Sequence, residues 1–202
     1  MKFRAIGIDM ALANMGLVAV DIDGDEVLCR NLKLVSTENQ KGKAVRASSD
    51  DLRRATELHM AMEEYVEEYG ASIAFAEVPS GSQSATAARA LGIAVGVLAC
   101  CPIPIIQVAP MEVKRLVNGN PKAKVSKAEV IAWARTRWPK ANWLTHKVKG
   151  QIVYNNDNEH LADALATIVA GMATPQFQQL RQLHATSRTH NQRSAPGRIR
   201  LD

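Results

Sequence analysis

Ala5-Ile6-Gly7-Ile8-Asp9 is an apolar run that ends abruptly in a carboxylate, and Met15-Gly16-Leu17-Val18-Ala19-Val20 resumes the apolar pattern after a short turn. Two such runs predict a β-hairpin, with a buried central strand and an antiparallel partner. Asp9 then stands on the central strand, partly shielded from water. An unpaired carboxylate in that position is costly and calls for a cation or a proton. The plainer alternative is that Asp9 opens the turn and caps its backbone N–H groups.

Working outward, Asp21-Ile22-Asp23-Gly24-Asp25 reads as a hairpin turn leading to a third strand, Glu26 to Leu34. No glutamate follows at the distance that would close a calcium loop. Ser36 to Ser49 is a polar loop. Ser48-Ser49-Asp50-Asp51 offers caps for a helix on which Leu52, Ala55, Leu58, Met62, Val66 and Tyr69 recur at helical spacing, and Gly70 ends it. Ser72 to Glu77 is a further strand ending in a carboxylate, broken by Pro79 and Gly81. Ser82 to Ala99 is rich in alanine and glycine, as a core helix or a helix at a dimer interface would be.

Ile103 to Val108 predicts a short strand, and Pro110 the first turn of a short helix ending before Asn118-Gly119. Lys122, Lys124 and Lys127 follow. Ser126 and Glu129 form a capping box for a helix with Val130, Ile131, Ala134 and Trp138 on one face. Pro139 to Asn156 is irregular, with lysines and His146 among Trp143 and Tyr154. It is either a nucleic-acid loop or a plain surface loop. Asp157 to Met172 predicts a final helix with Leu161, Leu165, Ile168 and Met172 as its core stripe. Asp163 lies roughly 200° round that helix from Leu161, on a face it shares with Glu159 and His160. Past Pro175 the chain is polar and reads as a flexible tail.

The 202 residues suit one domain, expected over 1–173, followed by a basic tail over 174–202. Apolar residues make up 47% and aromatics only 4%, so the core is built of aliphatic side chains and methionine. Net charge is +5, and the stretch from Arg181 to Asp202 holds five arginines against a single acid. Any basic surface on the body of the domain is therefore local. Cys29, Cys100 and Cys101 show no disulfide or zinc spacing, which points to a reducing compartment. Neither a secretory apolar core nor a membrane-length segment is present, and a cytoplasmic location is expected, with no membrane partner.

Acids thus close the first and fourth strands, and another stands on the last helix. Hard divalent cations take oxygen ligands, and magnesium keeps several waters while binding through a few carboxylates. Two such ions can activate a water and stabilise a leaving oxygen in phosphodiester cleavage. Asp9, Glu77 and Asp163 form the candidate scaffold. His160 is either a further metal ligand or a general acid–base.

These residues resemble the RuvC-type Holliday junction resolvases of the RNase H-like superfamily, and among them the phage-encoded members most. The resemblance covers about Phe3 to Gly171. It rests on Ile6-Gly7-Ile8-Asp9 with Gly16, on Ala76-Glu77-Val78-Pro79, on Val113-Lys114 ahead of Gly119, on Lys127, and on His160-Leu161-Ala162-Asp163-Ala164-Leu165-Ala166. It implies an α/β fold with a central mixed five-stranded sheet flanked by helices. It also implies a homodimeric endonuclease that uses Mg2+ (two ions per site, with Mn2+ as a substitute) and nicks opposed strands of four-way DNA junctions. Asp9, Glu77, His160 and Asp163 match the catalytic and metal-binding set. Lys114 and Lys127 match the basic residues near the cleaved phosphate, and Lys122 and Lys124 are added as DNA-binding candidates.

The sequence departs from the family where Met10-Ala11 follows Asp9 in place of Pro-Gly, and where Ser80 stands in place of an aromatic. Three other readings compete. One is a broader branched-DNA or flap nuclease, or a DDE-type recombinase, on the same fold. Another is a non-catalytic junction-binding protein. The third, an actin-like ATPase, needs glycine-rich phosphate loops that the turn after Asp9 lacks.

Overall fold

The alternation of side chains along the first strand sets the architecture. In a computed structural model, which describes residues 2–40, 46–78, 81, 84–122 and 124–193 and side chains as far as 184, the sheet has the order β3-β2-β1-β4-β5. Its strands are β1 (Lys2–Met10), β2 (Asn14–Asp23), β3 (Glu26–Ser36), β4 (Ile73–Glu77) and β5 (Ile105–Val108). The first three are antiparallel neighbours, and β1, β4 and β5 run parallel. The expected mixed five-stranded sheet is the one observed.

Odd and even positions of β1 serve opposite faces, as the period of two requires. Ile6, Ile8 and Met10 join Met15, Leu17 and Ala19 of β2 under α1 (Ala47–Tyr69) and α2 (Ala85–Ala99). Phe3 and Ala5 join Val18, Val20 and Ile22 under α5 (Asn158–Met172). This second layer also contains α3 (Pro110–Asn118) and α4 (Lys127–Arg137). Ser126 caps α4 with Glu129 bonded back to it, as the sequence predicts. Tyr65 of α1 seals the one irregularity between β2 and β3. Its hydroxyl accepts from Ala19 N–H at 3.1 Å and donates to Asn31 C=O at 2.9 Å.

Two glycines let α5 lie directly on the sheet. A Cβ on Gly7 would stand 2.3 Å from the Ala164 carbonyl oxygen, and one on Gly16 would stand 2.3 Å from the carbonyl oxygen of His160. Both obstacles are backbone, so any side chain there would lift the helix. Gly16 is paired with Asp9 across the β1–β2 ladder. Ala164 and His160 are one helical turn apart, so the helix contacts the sheet along this glycine line.

Four expectations change. The segment from Pro139 to Asn156 is not irregular throughout: it contains the hairpin β6 (Thr145–Val148) and β7 (Gln151–Tyr154). The chain beyond residue 173 is not a flexible tail as a whole, because α6 (Pro175–Arg193) continues it. Phe177 explains why: it is fully buried against Phe3 and Phe75, so the first turns of α6 belong to the core. On α1 the core stripe is Leu58, Met62, Tyr65 and Val66, while Leu52 is 69% exposed. On α4 the buried aromatic is Trp133. Ser80, the rest of the Pro79–Gln83 break apart from Gly81, and the arginines beyond Arg193 lie outside the described residues. Cys29, Cys100 and Cys101 are free thiols. Among the described residues no helix is long and apolar enough to cross a membrane.

Candidate active site

The parity of the strands delivers the acids to one place. Asp9 shares its face of β1 with Phe3, Ala5 and Gly7, the face that α5 covers. Glu77 shares its face of β4 with Ile73 and Phe75, which pack into the same layer. Because β1 and β4 are parallel neighbours, Asp9 and Glu77 come out at the same end of the sheet. Asp163 and Thr167, one helical turn apart on α5, supply the second wall. Asp9, Glu77, Asp163, Lys114 and Lys127 together line a cleft of about 360 Å³. Its apolar side is Pro110, Val113, Val125 and Val130, from α3, α4 and the segment joining them.

His160 is tied to this cleft through Asp9. Its Nδ1 lies 2.7 Å from Asp9 Oδ2, and its Nε2 lies 3.6 Å from Glu159 Oε1. Glu159 in turn accepts from Lys127 Nζ at 2.7 Å. Both imidazole nitrogens thus face carboxylates, an arrangement that favours the imidazolium. Accordingly the His160 pKa is raised, first by the hydrogen bond to Asp9, against an opposing burial effect. Lys127 is exposed in this pair while Glu159 is half-buried, and solvent around the ammonium makes its worth positional more than energetic.

Glu77 and Asp163 have no hydrogen-bond or ion-pair partner among the described residues. Burial raises the Glu77 carboxyl, Asp9 raises it further, and Lys114 opposes the shift. Asp163 is pushed up to about 7, first by burial and then by Asp9, with Glu159 and Glu77 adding to the effect and His160 opposing it. Half-buried carboxylates that repel one another and lack partners call for external positive charge. Among the described residues no three His, Cys, Asp or Glu side chains stand close enough to clasp one ion by themselves. Carboxylate oxygens suit a hard divalent cation, whose remaining coordination positions water can fill.

All four expected catalytic residues converge here, with Lys114 and Lys127. Lys122 and Lys124 are exposed on the α3–α4 connection and do not line the cleft. Glu159 was legible only as a neighbour of His160 on one helix face; its pairing with Lys127 depends on how α4 packs against α5. Thr167 could have been found from its i,i+4 spacing to Asp163, and Val130 from its i,i+3 spacing to Lys127.

No protein-family model matches the chain, and no curated protein matches it in sequence. Solved structures do match. RuvC of Thermus thermophilus superposes with a TM-score of 0.60 at 22% identity, covering 85% of this chain and 95% of that one. T. thermophilus RuvC in complex with Holliday junction substrate gives 0.59 at 21% identity, covering 83% and 92%. The yeast mitochondrial Holliday junction resolvase Ydc2 gives 0.55 at 12% identity, covering 84% and 78%. With sheet order, helical layers and these superpositions in agreement, the chain has the RuvC-type, RNase H-like fold.

Proposed function

We propose that the protein is a divalent-metal-dependent endonuclease that resolves four-way DNA junctions, acting as a homodimer. The observation that carries this reading is the convergence of Asp9, Glu77 and Asp163 in one cleft with Lys114 and Lys127, in a fold shared with a RuvC bound to Holliday junction substrate and with a mitochondrial Holliday junction resolvase. Bound magnesium would activate a water and stabilise the departing oxygen of a phosphodiester. The carboxylates of Asp9, Glu77 and Asp163 would share the bound ions, one or two to each, with water in the remaining positions. Lys114 and Lys127 set positive charge at the mouth of an otherwise acidic cleft, where a phosphate must approach. His160 orients the Asp9 carboxylate through Nδ1 and carries a proton beside the reacting phosphate. The deciding experiment offers labelled junction, fork, flap and duplex DNA with and without magnesium. Cutting of junctions in symmetric pairs is expected; equal cutting of flaps would favour the broader nuclease.

His160 has both nitrogens directed at carboxylates, so its role is assigned to orientation and proton handling. Replacing it by alanine should cost about 10²-fold in cutting, the range of a positioned general acid–base, and leave the preference between magnesium and manganese unchanged. If wild type prefers manganese and His160→Asp loses that preference, His160 is a metal ligand instead.

Paired nicks need two sites. Between α1 and α2 an apolar groove is lined by Leu52, Ile93, Gly96 and Cys100, and a Cβ on Gly96 would meet nothing within 4 Å. A side chain at that position therefore spares the monomer. Gly96→Glu should convert a dimeric mass in light scattering to a monomeric one and uncouple the two nicks. A variant that stays dimeric would remove this face from the interface.

A further inference from the structure

Between α4 and α5 the chain leaves the domain body as the β6–β7 hairpin, and every strand residue in it is exposed. Its two-residue turn, Lys149-Gly150, has φ of 49° and 82°. Positive φ at both positions belongs to the type I′ turn, whose twist matches that of the flanking strands. A free two-stranded hairpin is marginal in water, and this one is secured at its root. Buried Asn158 accepts from Leu144 N–H at 2.9 Å and donates to Leu144 C=O at 2.8 Å. Asn155 N–H also donates to Leu144 C=O, at 3.0 Å. The Arg135 guanidinium lies 3.3 Å from the centre of the Tyr154 ring. A firmly rooted projection is thus built from residues that do not serve the core.

What it presents is apolar and positive. Val148, Ile152, Val153 and Tyr154 are four of the nine large apolar side chains that the described residues expose, and Ile152 is 70% exposed. Lys147 pairs across the strands with Ile152, and Val148 pairs with Gln151 on the other face. The sequence from Val113 to Asn156 holds ten lysines and arginines against one acid, Glu129, which is engaged by Ser126. From Val130 to Asn156 there is no acid at all. Apolar tips flanked by cations fit a polyanion with an accessible apolar interior, which is DNA where base stacking is interrupted.

We propose that the β6–β7 hairpin is a wedge for branched DNA. Lys147 and Lys149 meet phosphates, while Ile152 and Val148 press against base faces opened at the branch point. This rests on the nuclease reading above and extends it to how structure is selected. Four strand residues at about 3.3 Å each reach roughly 13 Å, more than the depth of about 8.5 Å of a major groove. The tip therefore attains the bases while the root stays at the level of the backbone. That root ends on Asn158, two residues before His160, or about 3 Å along the helix axis. Seating the wedge would thus fix which phosphate reaches the cleft.

The test compares wild type with Val148→Ser/Ile152→Ser and with Lys147→Glu/Lys149→Glu, all at exposed positions. Binding is measured across a salt series on a four-way junction carrying 2-aminopurine at the branch point, and on linear duplex. The serine pair should weaken junction binding about tenfold, leave duplex binding and salt slope unchanged, and lose the 2-aminopurine signal. The glutamate pair should weaken both DNAs and flatten the salt slope by about two. Junction-selective binding and a full fluorescence response in the serine pair would overturn the wedge alone. Wild-type protein that does not discriminate junction from duplex would overturn the function reading, and the wedge with it.

Discussion

Asp9→Asn should abolish cutting of junction DNA, by about 10³-fold or more, while junction binding survives. Asparagine keeps the shape of the side chain and leaves an acceptor for His160 Nδ1, which now bonds Asp9 at 2.7 Å. No buried donor is stranded, so the fold has no reason to fail. What disappears is one negative charge at the end of the central strand, where a cation must be held against a phosphate. A loss of 10³-fold corresponds to about 4 kcal/mol of transition-state stabilisation. That is more than a single neutral hydrogen bond supplies and is in keeping with a charge acting at short range in a half-buried cleft. Binding measured without divalent metal should tighten slightly, since an acid that repels phosphate has gone. Wild-type cutting rates in the variant, with magnesium, would remove Asp9 from the chemistry and leave it a structural partner of His160.

How far the site was legible follows from the same residues. Asp9 and Glu77 each end an apolar run, and parity along a strand shows which face each must use once the cover of that face is known. The sequence places Asp163 and His160 on one helix face because periodicity within one helix is local. It does not show that Gly7 and Gly16 are the seat of that helix. Their requirement comes from the Ala164 and His160 carbonyl oxygens, more than a hundred residues away in the chain. The Lys127–Glu159 pair is hidden for the same reason.

The misread segments share a different cause. Phe177 is a single aromatic in a run of glutamine and arginine, and nothing local says that Phe3 and Phe75 leave a space for it. The β6–β7 hairpin buries nothing, so its strands lack the one-sided apolar alternation that marks a strand, and its turn uses Lys149 where asparagine or glycine would have signalled it. Elements with a continuous apolar stripe were readable; a helix held to the core by a lone aromatic and a hairpin that projects from the core were not.

The acids also predict how stability and activity depend on pH. Asp163 is pushed up to about 7 in the folded protein, against about 3.9 for an unfolded aspartate. Between those values the unfolded chain has released its proton and the folded one has not, so stability falls as pH rises through this window. The cost is complete above pH 7. Three units correspond to on the order of 4 kcal/mol before relaxation and water entry reduce it. His160 acts in the same direction. Its raised pKa means that the stabilisation from pairing with Asp9 is complete below about pH 6.5 and is lost as pH climbs through the folded value.

Without divalent metal, the melting temperature should therefore drop from pH 5 to pH 8. Asp163→Asn should flatten that fall and melt about 5–10 °C higher than wild type at pH 8, taking about 2–4 °C per kcal/mol for a chain of this size. Magnesium should raise the melting temperature of wild type at pH 8 but hardly that of Asp163→Asn. In calorimetry, binding of the metal to wild type near pH 7 should release protons, detected as a dependence of the heat on the buffer's own ionisation enthalpy. Cutting should rise through the same pH range as Asp163 ionises, and Asp163→Asn should not cut at any pH. Identical melting of wild type and Asp163→Asn at pH 8, with and without magnesium, would mean that Asp163 is neither strained by its neighbours nor a holder of the cation.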